Sequence, residues 1–130
     1  MFRSVRTAAV LVGTVALLGA AAQGRWELLG ERTVTDRLDH DRIAVTSARG
    51  DFRTIKLTVR RAPVDFHRVV VHYARGGDQE IEVRGRIPAG GETRVIDLRG
   101  DERVIRSVEF WYDAATLRGR RGVVRLWARN

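Results

Sequence analysis

Apolar and polar residues alternate along most of the chain beyond residue 53. In "RTIKLTVR", Ile55, Leu57 and Val59 share one face, and Thr54, Lys56, Thr58 and Arg60 share the other. A period of two describes a strand with one buried and one wet face. "QEIEVRGRI" repeats it, with Ile81, Val83 and Ile87 inward and Glu80, Glu82, Arg84 and Arg86 outward. "SVEFWYD" groups Val108, Phe110 and Tyr112, and "VVRLWAR" groups Val124, Leu126 and Ala128. The pattern predicts eight strands, at about 26–35, 42–47, 53–60, 64–74, 79–87, 93–98, 103–112 and 122–129. No helical period runs through this part of the chain.

One strand breaks phase. In "VDFHRVVVHYA", Val64 and Phe66 have the opposite parity to Val69, Val71 and Tyr73. A bulge at His67-Arg68 repairs the phase, because two residues then occupy one pleat position. It places His67 and His72 on the outer face. "ARGGDQE" reads as a hairpin turn through Gly76 and Gly77. "RIPAGGETR" reads as a loop in which Pro88 closes a strand and Gly90-Gly91 are free to take positive φ. Arg99-Gly100-Asp101 reads as the turn between two adjacent strands, 93–98 and 103–112. Regularly spaced short strands with turn signals predict an all-β fold: a single antiparallel β-sandwich of about eight strands, with a jelly roll as one arrangement. A closed barrel is the alternative, since it also buries one face of each strand.

The N-terminus follows another pattern. Arg3 and Arg6 precede an apolar run, "TAAVLVGTVALLGAAA", which ends in an A-x-A signal before Gln23. This layout predicts a secretory signal peptide over 1–22, a single domain over 23–130, and a periplasmic or secreted protein. The run is too short for a membrane span, which takes ~20 residues, and no transmembrane segment is expected in the mature chain. There is no cysteine. Disulfides, thiolate chemistry and cysteine-zinc sites are therefore excluded, and packing alone must hold the domain.

The chain carries a formal net charge of +8, almost all of its basic residues being arginine. A basic exterior favours an anionic polymer or acidic glycan. Arginine-rich codon usage and a mixed solvated surface are the plainer explanation of the same numbers.

The order of "WELLG", "FRTIKLTV", "VVVHY", "RIPAGGETRVIDLRG" and "RVIRSVEFWY" resembles the exported bacterial proteins known as domain of unknown function 2541, the YaaI-like proteins. The resemblance implies an exported β-rich domain without an assigned activity. It transfers no catalytic or binding residues.

Candidate chemistry is sparse. "DRLDHD" gathers Asp36, Asp39, His40 and Asp41. It reads as a turn between strands, with a weak calcium site at Asp36, Asp39 and Asp41 as the alternative. A hydrolase built on Asp39 and His40 is a further, weaker alternative. His67 and His72 lie roughly 13–16 Å apart along a strand, too far for one ion, and read as surface histidines. "LRGRRGVVR" brings Arg118, Arg120, Arg121 and Arg125 together, either as an oxyanion-contacting loop or as a solvated hairpin tip. Trp111 and Trp127 have outward parity. If their strands are neighbours, the two rings form one aromatic platform, and Arg125 and Arg129 flank Trp127 for cation–π stacking. The expected protein is a non-enzymatic binding domain at the cell envelope, without cofactors. It would contact an anionic polymer or glycan through an Arg/Trp face. A structural domain pairing with another envelope protein is the alternative.

Overall fold

The computed structural model describes residues 24–34, 38–45, 51–83, 85–100, 103–114 and 120–130. The expected signal peptide, Asp36, Asp101 and Arg118 lie outside the described residues, as does the side chain of Asp39.

Among the described residues, nine strands form two antiparallel sheets: β1 (Glu27–Thr33), β2 (Leu38–Ala44), β3 (Thr54–Arg60), β4 (Val64–Tyr73), β5 (Asp78–Ile81), β6 (Gly85–Ile87), β7 (Ile96–Asp97), β8 (Ile105–Ala114) and β9 (Val123–Arg129). Sheet A has the order β1-β9-β3-β7, and sheet B has β2-β8-β4-β5, with β6 also on β4. Apart from the hairpin β4–β5 and the short β6, successive strands alternate between the sheets. The arrangement is an eight-stranded jelly roll with β6 added to one edge. No helix among the described residues is long and apolar enough to cross a membrane.

The period of two selects the core as read. Ile55, Leu57 and Val59 are fully buried from sheet A, together with Val124, Leu126 and Ala128. Val69, Val71, Val108, Phe110 and Tyr112 meet them from sheet B. The ring of Phe110 lies edge-on to Phe66 at 6.0 Å and tilted against Tyr112 at 5.6 Å. The bulge is where the phase break puts it, between Phe66 and Arg68. Gly76 and Gly77 take φ of 89° and 80° in the β4–β5 hairpin, a left-handed pair that only glycine adopts without strain.

Three strand expectations and one turn are corrected. The expected strand at 42–47 starts earlier, at Leu38, so Asp39, His40 and Asp41 lie in a strand and not in a turn. Backbone pairing with β8 from Leu38↔Asp113 to Ala44↔Ser107 outweighs their turn preference. The expected single strand at 79–87 is two pieces. β5 pairs with Val69–His72 and β6 with Val64–Phe66, so the break lies opposite the bulge. A tight turn from Val83 N–H to Ile81 O (2.9 Å) and the positive φ of Gly85 make that break. The strand expected at 93–98 shrinks to Ile96–Asp97. It also sits in sheet A, whereas β8 sits in sheet B, so Arg99-Gly100 belongs to a crossover between sheets and not to a turn joining paired strands.

At one side of the sandwich β1 meets β2. A Cβ built on Gly30 would come 2.5 Å from Ile43 Cγ2. Gly30→Ala is therefore expected to lower stability by about 1–3 kcal/mol, because neither strand can retreat without losing its sheet. An unchanged urea midpoint would show that the two strands do not pack so closely.

Candidate functional site

The outer face of sheet A follows from the register of its three long strands. Trp127 on β9 stands between Leu28 on β1 and Lys56 on β3. One row along, Arg125 stands between Glu31 and Thr58. Trp26, just before β1, packs beside Arg129 at the other end. Its ring has Lys56 Nζ and Arg129 Cζ each 4.5 Å from its centroid. Trp127 Nε1 donates to Thr58 Oγ1 at 2.9 Å, which fixes the indole on the sheet. Arg125 Nε donates to Glu31 Oε1 at 2.8 Å, and Lys56 lies 3.3 Å from Glu92. Arg129 forms no ion pair among the described residues. Arg120 and Arg121 are exposed next to this face, where β9 begins.

The outer face of sheet B carries a second cluster. His40, Trp111 and Arg68 form one row across β2, β8 and β4. His40 stacks on Trp111 with centroids 4.9 Å apart, and Arg68 Cζ lies 4.7 Å from the same ring. Behind them, Glu109 takes a hydrogen bond from each of two histidines, from His40 Nε2 at 2.5 Å and from His72 Nε2 at 2.6 Å. His72 Nδ1 lies 2.8 Å from Asp78 Oδ1. With carboxylate oxygens at both ring nitrogens, His72 is arranged to donate twice, which only the imidazolium does. Partial burial by itself would lower the His72 pKa. The hydrogen bonds to Asp78 and Glu109 and the charges of both outweigh it, and the pKa is raised. The hydrogen bond from His40, then that from His72, holds the Glu109 carboxyl below its ordinary value.

These positions settle several expectations. β8 and β9 belong to different sheets, so Trp111 and Trp127 lie on opposite outer faces and form no common platform. Strand parity gave outwardness correctly but says nothing about which sheet a strand joins. The cation–π contact expected near Trp127 falls instead on Trp26, with Arg129 and Lys56 as its cations. The expected arginine loop contributes Arg125 to an ion pair. His72 is no simple surface histidine, since it is tied into the Glu109 network, while His67 is exposed at the bulge. Asp41 accepts from Tyr112 Oη at 2.8 Å. Among the described residues, no group of three or more His, Cys, Asp or Glu is placed to hold a metal ion. Asp36 and the side chain of Asp39, which the calcium and hydrolase alternatives also require, lie outside the described residues. Trp26 was missed because it precedes the alternation. Counting back from Leu28 by one strand period would have found it on the outer face.

A family model described as "Domain of unknown function (DUF2541)" matches residues 7–128, the family that the motif order resembles. No curated protein matches the chain. Among solved structures, AlgX of Pseudomonas aeruginosa is similar at 16% identity and a TM-score of 0.47, over 77% of this chain and 26% of AlgX. The chain thus spans about a quarter of that protein. A low-affinity xylan-binding module, CBM86, of Roseburia intestinalis is similar at 12% identity and a TM-score of 0.45, over 84% of this chain and 86% of the module.

Proposed function

The chain belongs to the DUF2541 family, whose description assigns no activity, and from that premise we propose that it is a non-enzymatic binding domain for an anionic polymer or acidic glycan. It would act outside the cytoplasm, in the periplasm or as a secreted protein, as the N-terminal pattern suggests. The observation that carries the reading is the pair of cations, Lys56 and Arg129, each 4.5 Å from the centre of the Trp26 ring, beside Trp127.

An indole face that holds a guanidinium spares part of the rotamer entropy that an arginine otherwise loses on binding an anion. Arg125, Trp127 and Arg129 follow each other at every second residue of β9, about 6.8 Å per step along the strand. A polymer with regularly spaced charges can therefore touch several of them together. Glu31 and Glu92 compete only weakly, because their pairs with Arg125 and Lys56 are half-exposed ion pairs, worth about 0–1 kcal/mol.

A titration of purified protein with an acidic polysaccharide at several salt concentrations tests this. Affinity is expected to fall steeply with salt, since arginine contacts release counterions. Arg129→Ala and Trp26→Ala are each expected to weaken binding about fivefold to thirtyfold, the equivalent of about 1–2 kcal/mol. Salt-independent retention, or full binding by Arg129→Ala, would rule the reading out.

A further inference from the structure

We propose that the groove between β1 and β2 is a separate binding site for the oxyanion group of an acidic sugar, held by the guanidiniums of Arg32 and Arg42. The groove has a volume of about 460 Å³ and is lined by Arg32, His40, Asp41, Arg42, Ala44 and Glu109. It lies on the far side of β1 from the outer face of sheet A, and none of its lining residues belongs to the Trp26 cluster.

The charges in the groove are unevenly committed. Its two carboxylates are both engaged from within: Glu109 by His40 and His72, and Asp41 by the Tyr112 hydroxyl. Its two guanidiniums keep terminal amino groups without an acceptor among the described residues. Arg32 donates its Nε to the Arg42 carbonyl at 2.8 Å, and its terminal amino groups have no acceptor among the described residues. Arg42 is exposed and forms no ion pair among the described residues. Glu109 shares the His72 imidazolium with Asp78, so the two carboxylates of the groove are each held by a donor other than its guanidiniums, whose terminal N–H groups point to no carboxylate among the described residues. A planar fork with free terminal N–H groups suits a carboxylate, sulfate or phosphate. The Nε bond also fixes the Arg32 fork before a ligand arrives, which lowers the ordering cost of binding.

Size separates a sugar from a bare ion. Ligand clefts run from about 300 to 1,000 Å³, and this groove falls within that range, where an inorganic ion would leave most of the space filled by water. His40 lines the groove and its ring stacks on Trp111, so a ligand seated there lies at the edge of that aromatic stack.

The test follows the His40 ring and Trp111 indole resonances by NMR while glucuronate, glucose or inorganic sulfate is added to purified protein. Glucuronate is expected to shift both sets of resonances to saturation, while glucose, which lacks the anion, and sulfate, which lacks the ring, bind at least about tenfold more weakly. Arg42→Gln is expected to weaken glucuronate binding about tenfold or more, and Arg42→Lys by less, because it keeps the charge and loses the fork. Arg129→Ala is expected to leave the glucuronate shifts unchanged, which keeps this site apart from the face of sheet A. No shift with glucuronate, equal binding of glucose or of sulfate, or an unaltered affinity in Arg42→Gln would each overturn the proposal.

Discussion

Phe110→Ala is expected to destabilise the protein by about 3–5 kcal/mol, a large part of the roughly 5–15 kcal/mol that holds a typical domain. Phe110 sits at the middle of β8, opposite Asp41 on β2 and Val69 on β4, and is fully buried. Its ring is the contact shared by Phe66 and Tyr112. Truncation removes that shared partner and leaves a cavity bounded by two sheets, which cannot collapse without breaking ladder hydrogen bonds. With no cysteine in the chain, no crosslink limits the loss. Phe110→Leu, which keeps most of the volume, is expected to cost well under half as much. Urea denaturation reads both. A fall in midpoint with little change in slope is the expected form. A loss under about 1 kcal/mol for Phe110→Ala would mean that the core is not centred there.

Glu109→Gln is expected to cost about 1–3 kcal/mol near pH 6, and less at neutral or alkaline pH. The amide that replaces the carboxylate would still accept a hydrogen bond, but not as a charge shared between two histidines. The pH dependence follows from the two shifted groups. His72 has its pKa raised above 6.5, so its contribution is complete below that pH and fades as pH climbs through the folded value. Glu109 has its pKa lowered below 4.5, so its contribution is complete above that pH and fades as pH falls through the folded value. Both are fully present only between about pH 4.5 and 6.5, and the network is expected to add most stability there. Asp78 on β5 faces His72 from the other side, so it retains part of the effect when Glu109 is changed. Arg42 on β2 and Arg68 on β4 are the other charges close to this network. Melting curves at about pH 4, 5.5 and 8 for both proteins read the difference. A stability profile with the same pH dependence in Glu109→Gln would show that the histidines do not act through this carboxylate.

The alternation of residues carried the core because burial depends on parity, and parity is local. Ile55, Leu57, Val59, Ile96, Leu98, Val108, Phe110 and Tyr112 are all buried as the pattern requires. The bulge was also legible, since a phase break in "VDFHRVVVHYA" has one economical repair. Strand neighbours were not legible. Trp111 and Trp127 have the same outward parity, yet belong to opposite faces, because nothing local states which sheet a strand joins. The Glu109 network was hidden for the same reason. His40, His72 and Glu109 come from three strands, and only register brings them together. Asp39–Asp41 shows propensity losing to tertiary pairing, with turn-forming residues held in β2 by its ladder with β8.

The margins of the two sheets decide how this protein can meet other chains. β7 has two residues, and the β5–β6 margin is broken opposite the bulge. β1 is interrupted between Leu28 and Gly30, and its Arg32 lies opposite the buried Val124, a charge at an inward position. That same guanidinium takes the Arg42 carbonyl on the margin of β2. Three of the four margins thus deny an incoming strand a long, flat row of backbone groups, and on the fourth, β2, Arg32 occupies one carbonyl. Fibril growth by strand addition is therefore disfavoured at three of the margins among the described residues, and concentrated solutions should resist seeding there. A partner recognised through side chains, on a sheet face or in the β1–β2 groove, can then exchange without disturbing the backbone.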